Sequence, residues 1–134
     1  MSAERAAWVF SVPSVVAWAI ANAGRRVVPC EDGRPEEGDL VLIRAEGPKP
    51  EGYEAVEAYV GRSITNRPQA VVVATAVLSE KFGPMPEDQG RWSHAPGWLL
   101  SDVHILAQPV SYRRGGKVYK PSARILAEVR IQER

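Results

Sequence analysis

Three groups of residues have types and spacing suited to chemistry on an anion. The first is Gly24-Arg25-Arg26, two guanidiniums where an apolar helix gives way to a strand, with Arg44 at the end of the next strand. A guanidinium forks onto phosphate, stacks on planar bases and stays charged at any physiological pH. The second is Tyr112-Arg113-Arg114-Gly115-Gly116-Lys117, continuing into Val118-Tyr119-Lys120, where aromatics and cations interleave around two glycines. That composition suits contacts to a phosphate backbone combined with base stacking. The third is Trp92 with His94 in a glycine- and proline-rich stretch, a stacking wall worth roughly 1 to 3 kcal/mol per base if it meets one. Each group also has a plainer reading. Arg25 and Arg26 would complement a helix C-terminus by about 0.3 to 1 kcal/mol, residues 112–119 would form a solvated hairpin tip, and Trp92 would plug the end of a barrel.

Composition narrows the partners. The chain has 134 residues, 45% apolar and 25% charged, which is enough for one core and one domain spanning 1–134. A net charge of +1 argues against the long cationic track that wraps duplex DNA, although the local clusters remain. Cys30 is the single cysteine and there are two histidines, so neither a disulfide nor a metal site with the required ligand spacing is expected, and no cofactor. No Ser-His-Asp signature, phosphate-binding glycine loop or dinucleotide fingerprint is present. The opening residues do not read as a secretory leader and no run of about 18 apolar residues occurs, which points to the cytoplasm and away from a membrane.

The elements that would position these side chains follow from pattern. Trp8-Val9-Phe10-Ser11-Val12 is rich in β-formers and stops at Pro13; Ser14 is placed to cap a buried helix over residues 14–23, and Gly24 to end it. Residues 26–30 read as a brief strand, at an edge or bulge because Pro29 lacks a ladder donor. A polar turn over 31–38 leads to a buried strand over 39–45, a two-turn helix over 53–60 and a β-branched interior strand over 69–78. Residues 79–97 read as a long loop, 98–106 as a strand that Pro109 breaks, 112–119 as a hairpin or glycine loop, and 124–132, with Ile125, Ala127, Val129 and Ile131 alternating against polar residues, as a half-buried strand. The sum is an α+β fold: a small β-barrel of about six strands with two or more short helices on its side.

The order of these elements resembles the ASCH domain family of the PUA-like superfamily. The resemblance rests on Pro13, the helix after it, the junction Gly24-Arg25-Arg26-Val27-Val28-Pro29-Cys30-Glu31, the strand entry Gly38-Asp39-Leu40, Trp98-Leu99-Leu100-Ser101-Asp102-Val103, and Pro109-Val110 leading to Gly115. It implies a barrel with a cleft beside the helix junction, RNA binding, and in some members hydrolysis of modified nucleosides or RNA by a junction lysine with a threonine and a glutamate. This sequence departs at those places: Arg26 stands for the lysine, Pro29 for the threonine or junction glutamate, and Glu31 for the arginine. Arginine keeps anion affinity but removes general-base chemistry, and proline supplies no hydroxyl. The expectation is a non-catalytic module that binds RNA or a nucleotide, with Arg25, Arg26 and Arg44 on phosphate and Trp92 or Tyr112 stacking. The alternatives are a hydrolase drawing its base from Glu31, Asp102, Glu57 or His94, and a protein-interaction adaptor.

Overall fold

A computed structural model describes residues 6–47, 50–83, 96–113 and 116–132. It contains β1 (Ala7–Val12), α1 (Ser14–Asn22), β2 (Val27–Pro29), β3 (Leu40–Ala45), α2 (Pro50–Val60), β4 (Val71–Phe82), β5 (Gly97–Ser111), β6 (Val118–Tyr119) and α3 (Ala123–Gln132). The strands form one curled sheet in the order β2-β5-β4-β3-β1-β6. This is the expected α+β architecture, with three helices and six strands among the described residues.

β1 and β3 run parallel, with Ala7 opposite Leu40 and Val12 opposite Ala45, so the chain between them must cross over. α1 and β2 are that crossover. Alternation along the parallel pair divides the core. Phe10, Val12, Val41, Ile43 and Ala45 pack with Val15, Val16, Ala17, Trp18 and Ile20 of α1, whereas Val9 and Leu42 face the other way, toward Ile125 and Val129 of α3. α1 ends where Ala23 N and Arg25 N both donate to the Ala19 carbonyl and Gly24 takes φ +72°, a conformation costly for any residue with a Cβ.

Four local expectations change in the second half of the chain. Residues 124–132 are helix α3. Their alternation also places Ile125 and Val129 four apart on one helical face, and the deciding signal lies just upstream: Ser122 Oγ accepts from Ile125 N at 3.3 Å and caps the first turn. β5 does not break at Pro109 but runs to Ser111. The β4–β5 register jumps from Val72–Val110 to Ala74–Ile105, so Pro109 sits in an irregularity that asks no ladder donor of it. β4 itself extends through Ser79 to Phe82, shortening the expected loop. Of the two readings of residues 112–119 the hairpin does not form: the described part of the segment connects β5 to β6, which pairs antiparallel with β1. Pro29 is placed as expected, since among the described residues β2 pairs with β5 alone.

The Ser14 hydroxyl does not cap α1, whose N-cap position is Pro13; it bonds Tyr53 Oη at 2.6 Å and the Pro68 carbonyl, tying α1 to α2. Gly97 fixes the β2 edge. A Cβ there would collide with the Val28 carbonyl oxygen and stand 3.0 Å from Phe82 Cζ and 3.1 Å from Pro29 Cα. Gly97→Ala should therefore lower the unfolding free energy by about 1 to 3 kcal/mol in urea denaturation, whereas Gly33→Ala, with open space at its Cβ, should stay within about 0.5 kcal/mol of the parent.

Candidate functional site

Curling brings the two ends of the sheet toward each other without joining them. Between them lies a cleft of about 330 Å³, lined by Ser11 and Pro13 at the end of β1, by Pro29, Cys30, Glu31 and Asp32 after β2, by Glu46 after β3, and by Lys117 and Val118 at β6. The parallel pair builds its floor. Because β1 and β3 finish at the same end, Glu46 N donates to Val12 O at 2.9 Å, and Val16 N and Ala17 N donate back to Pro13 O as α1 begins. Ser11 N donates to Lys117 O at 2.8 Å and fixes the β6 wall; Cys30 N donates to Pro96 O at 2.8 Å and fixes the β2 wall.

One side chain bridges the gap. Arg34 Nη2 donates to the Val118 carbonyl at 3.0 Å while holding Asp32 through contacts of 2.7 to 3.1 Å. Trp8 lies beneath it with its Nε1 on Asp39 Oδ2 at 2.9 Å, the Arg34 guanidinium 5.2 Å from its ring and the Lys120 ammonium 4.3 Å. The cleft thus has opposed walls. Glu31 and Asp32 supply carboxylates at the β2 wall and Glu46 one at the floor; Lys117 supplies an ammonium at the β6 wall, with Lys120 beyond it on the same segment. Burial pushes the Cys30 thiol up from its ordinary value, so it is an uncharged thiol at neutral pH and a poor nucleophile. Among the described residues no group of three or more His, Cys, Asp or Glu side chains could hold a metal ion.

The sequence-derived candidates scatter. Arg26 Nη1 donates to the Ile20 carbonyl at 3.2 Å and the Arg25 carbonyl at 2.9 Å, which satisfies the C-terminal end of α1. Arg25 Nε donates to Val27 O at 2.8 Å and the side chain lines a separate groove between α1 and α2. Both stand at the opposite end of α1 from the cleft, about 13 Å along a nine-residue helix. Arg44 is 9% exposed, with Nε on the Tyr112 carbonyl at 2.6 Å and Nη1 on Ser11 Oγ at 3.1 Å. Tyr112 is 6% exposed, and its hydroxyl accepts from Ser122 N at 3.3 Å. Arg113 and Lys117 are exposed on the β5–β6 crossing. Trp92, His94 and Arg114 lie outside the described residues. Of the alternative bases, Glu31 lines the cleft, while Glu57 accepts from Ile64 N at 2.6 Å and lies 3.5 Å from Arg67, far from it in the chain.

Glu46 and Asp32 were the residues that sequence reasoning passed over. Their signal was position: each is a carboxylate just past a strand end, and in a sheet with parallel strands that end is where crevices open. The Arg34 side-chain hydrogen bond holds the Asp32 carboxyl at about 2, below the ordinary 3.8. A folded-state value below the unfolded one means stabilisation present above about pH 3.8 and lost as the pH falls toward 2. NMR titration of the Asp32 carboxyl carbon should give a midpoint near 2 in the parent, returning toward 3.8 in Arg34→Ala.

No family profile matches the sequence, and no curated protein matches it. Solved structures do. The ASCH protein of Zymomonas mobilis superposes with a TM-score of 0.60 at 14% identity over 96% of each chain. A serine-to-alanine variant of that protein superposes at 0.60 over 95% of this chain and 96% of its own, and a tyrosine-to-phenylalanine variant at 0.59 over 95% and 98%, each at 14% identity. At that identity the likeness carries the fold, and over nearly its whole length this chain has the fold of an ASCH domain.

Proposed function

We propose that the chain is an RNA- or nucleotide-binding module whose ligand enters the cleft between β2 and β6. The observation that carries this reading is the opposed polarity of the two walls. Carboxylates accept from the exocyclic amines of nucleobases, as Glu and Asp do toward cytosine N4, and an ammonium at the mouth takes phosphate as a point charge. Glu31 and Glu46 are assigned to the base edge and Lys117 to the phosphate. Lys120 and Arg113, exposed on the segments either side of Lys117, continue the phosphate path for a longer strand. The phosphate grip thus moves from Arg25, Arg26 and Arg44, all three engaged on backbone carbonyls, to the β5–β6 crossing.

A hydrolytic reading has one observation in its favour, Glu31 at the cleft wall, where a carboxylate could take a proton from water. Turnover of acylated nucleosides that disappears in Glu31→Gln would replace the binding reading with this one.

Fluorescence anisotropy with short single-stranded RNAs tests the binding reading. With three phosphate contacts, log K should fall with log salt at a slope of about −2, and Lys117→Ala should make it shallower by about 0.7. Cytosine- or adenine-containing strands should bind more tightly than oligouridylate, which lacks the exocyclic amine, and Glu46→Gln should remove most of a preference of about 1 to 3 kcal/mol. No binding of RNA or nucleotide at low ionic strength overturns the proposal.

A further inference from the structure

Arg44 is a buried charge that neither the core nor the cleft accounts for. It is 9% exposed, yet among the described residues no carboxylate lies within ion-pair distance of it. Its partners are neutral: Nε donates to the Tyr112 carbonyl at 2.6 Å and Nη1 to the Ser11 hydroxyl at 3.1 Å. Taking a guanidinium out of water without a counter-charge is unfavourable, and an apolar side chain of similar length would fill the same space more stably. What an apolar side chain could not do is bond two elements at once.

The two groups that Arg44 bonds stand at the two ends of the β5–β6 crossing. Tyr112 is the first residue past β5, and its amide donates to the Ala70 carbonyl at 2.9 Å; Ser11 lies on β1, and its amide donates at 2.8 Å to the carbonyl of Lys117, where the crossing lands. One guanidinium therefore spans from the root of the crossing to the strand that receives it. The backbone nearby is irregular on both sides. The β3–β4 register slips between Ile43, opposite Ala74, and Arg44, opposite Val72, a bulge of the kind that re-aims a side chain. Ala70, which accepts from Tyr112 N and donates to Ala45 O at 2.9 Å, stands at φ +53°, a left-handed conformation unfavourable to a residue with a Cβ. Strain of this sort persists where surrounding contacts hold it, and it gathers where a fixed geometry serves a site.

We propose, on the reading that the cleft binds RNA or a nucleotide, that Arg44 is the positioning residue of its phosphate wall: it touches no ligand, and by tying Tyr112 to Ser11 it holds the crossing where Lys117 meets the cleft and Arg113 continues the path. A tie and a phosphate contact make different demands. A contact needs a cation, which lysine supplies; a tie needs two nitrogens at the fixed spacing of a guanidinium, which lysine lacks.

Arg44→Met and Arg44→Lys, each checked for the parent's near-ultraviolet circular dichroism, carry the test. In the free protein, hydrogen exchange of the Ser11 and Tyr112 amides should speed up about tenfold or more in both variants, while the Cys30 amide, bonded to Pro96 O at the opposite wall, keeps the parent's rate. In fluorescence anisotropy with single-stranded RNA, both should show a salt slope shallower than the parent's by about 0.7 or more, with the preference for cytosine- or adenine-containing strands over oligouridylate unchanged. A lysine variant that keeps the parent's slope while the methionine variant loses it makes Arg44 a phosphate contact and overturns the proposal. Exchange at Ser11 and Tyr112 that stays at the parent's rate overturns it too, whether or not RNA binds. A parent that binds no RNA or nucleotide overturns the binding reading and the proposal's wall with it, and loosened amides in the variants would then show a tie that serves the fold alone. If the Arg44 variants do not fold, Ser11→Ala, which removes one end of the tie and a single oxygen, must loosen the same crossing and flatten the slope; a variant unchanged in both overturns the proposal.

Discussion

The parallel pairing of β1 with β3 is the constraint on which the rest of this structure depends. Two neighbouring strands that point the same way cannot be joined by a hairpin, so the chain must leave the sheet, cover one face and return. α1 covers that face with Val15, Val16, Trp18 and Ile20, and β2 returns on the far side of β5, not beside β1. The sheet therefore ends in two short strands, β2 and β6, which curl toward each other and stop short of pairing. The cleft is the remaining gap. Its floor is where the parallel strands finish together, and its walls inherit whatever residues the chain carries at those turns.

Those residues determine what the gap can hold. A glycine at position 97 lets β2 sit close against β5 and keeps the acidic wall in place. Arg34 reaches across to the Val118 carbonyl and takes the charge of Asp32 with it, which leaves Glu31 on the wall across from Lys117 and Glu46 at the floor between them. A cleft with near-balanced charge does not attract polyanions over long distances as a cationic groove does. It suits a small polar ligand, or one nucleotide of a strand, whose base and phosphate carry different demands. The net charge of +1 fits that picture.

Much of the fold was legible in the sequence because burial writes itself into pattern. The β-branched run in β4, the apolar block of β3 and the glycine that ends α1 each have one economical reading. α3 did not, because its apolar residues satisfy a period of two as well as the helical spacing of Ile125 and Val129, and the cap that decides between them is a single serine. Pro109 misled for a related reason: proline forbids a ladder hydrogen bond, but the register jump in β5 had already removed the need for one. The site was less legible than the fold. Arg25, Arg26 and Arg44 have the chemistry of an anion grip, yet each is engaged on nearby carbonyls whose positions only the tertiary structure fixes. The residues that line the cleft meet because strands far apart in sequence end at the same place, and local pattern does not report that.

The most direct measurement of the central claim is a backbone amide NMR titration of the chain with cytidine monophosphate at low ionic strength. The account predicts saturable shifts centred on Glu31, Glu46, Lys117 and Val118, with the amides of Arg25 and Arg26 unmoved. Shifts centred on Arg25 and Arg26, or none at saturating nucleotide, would contradict it.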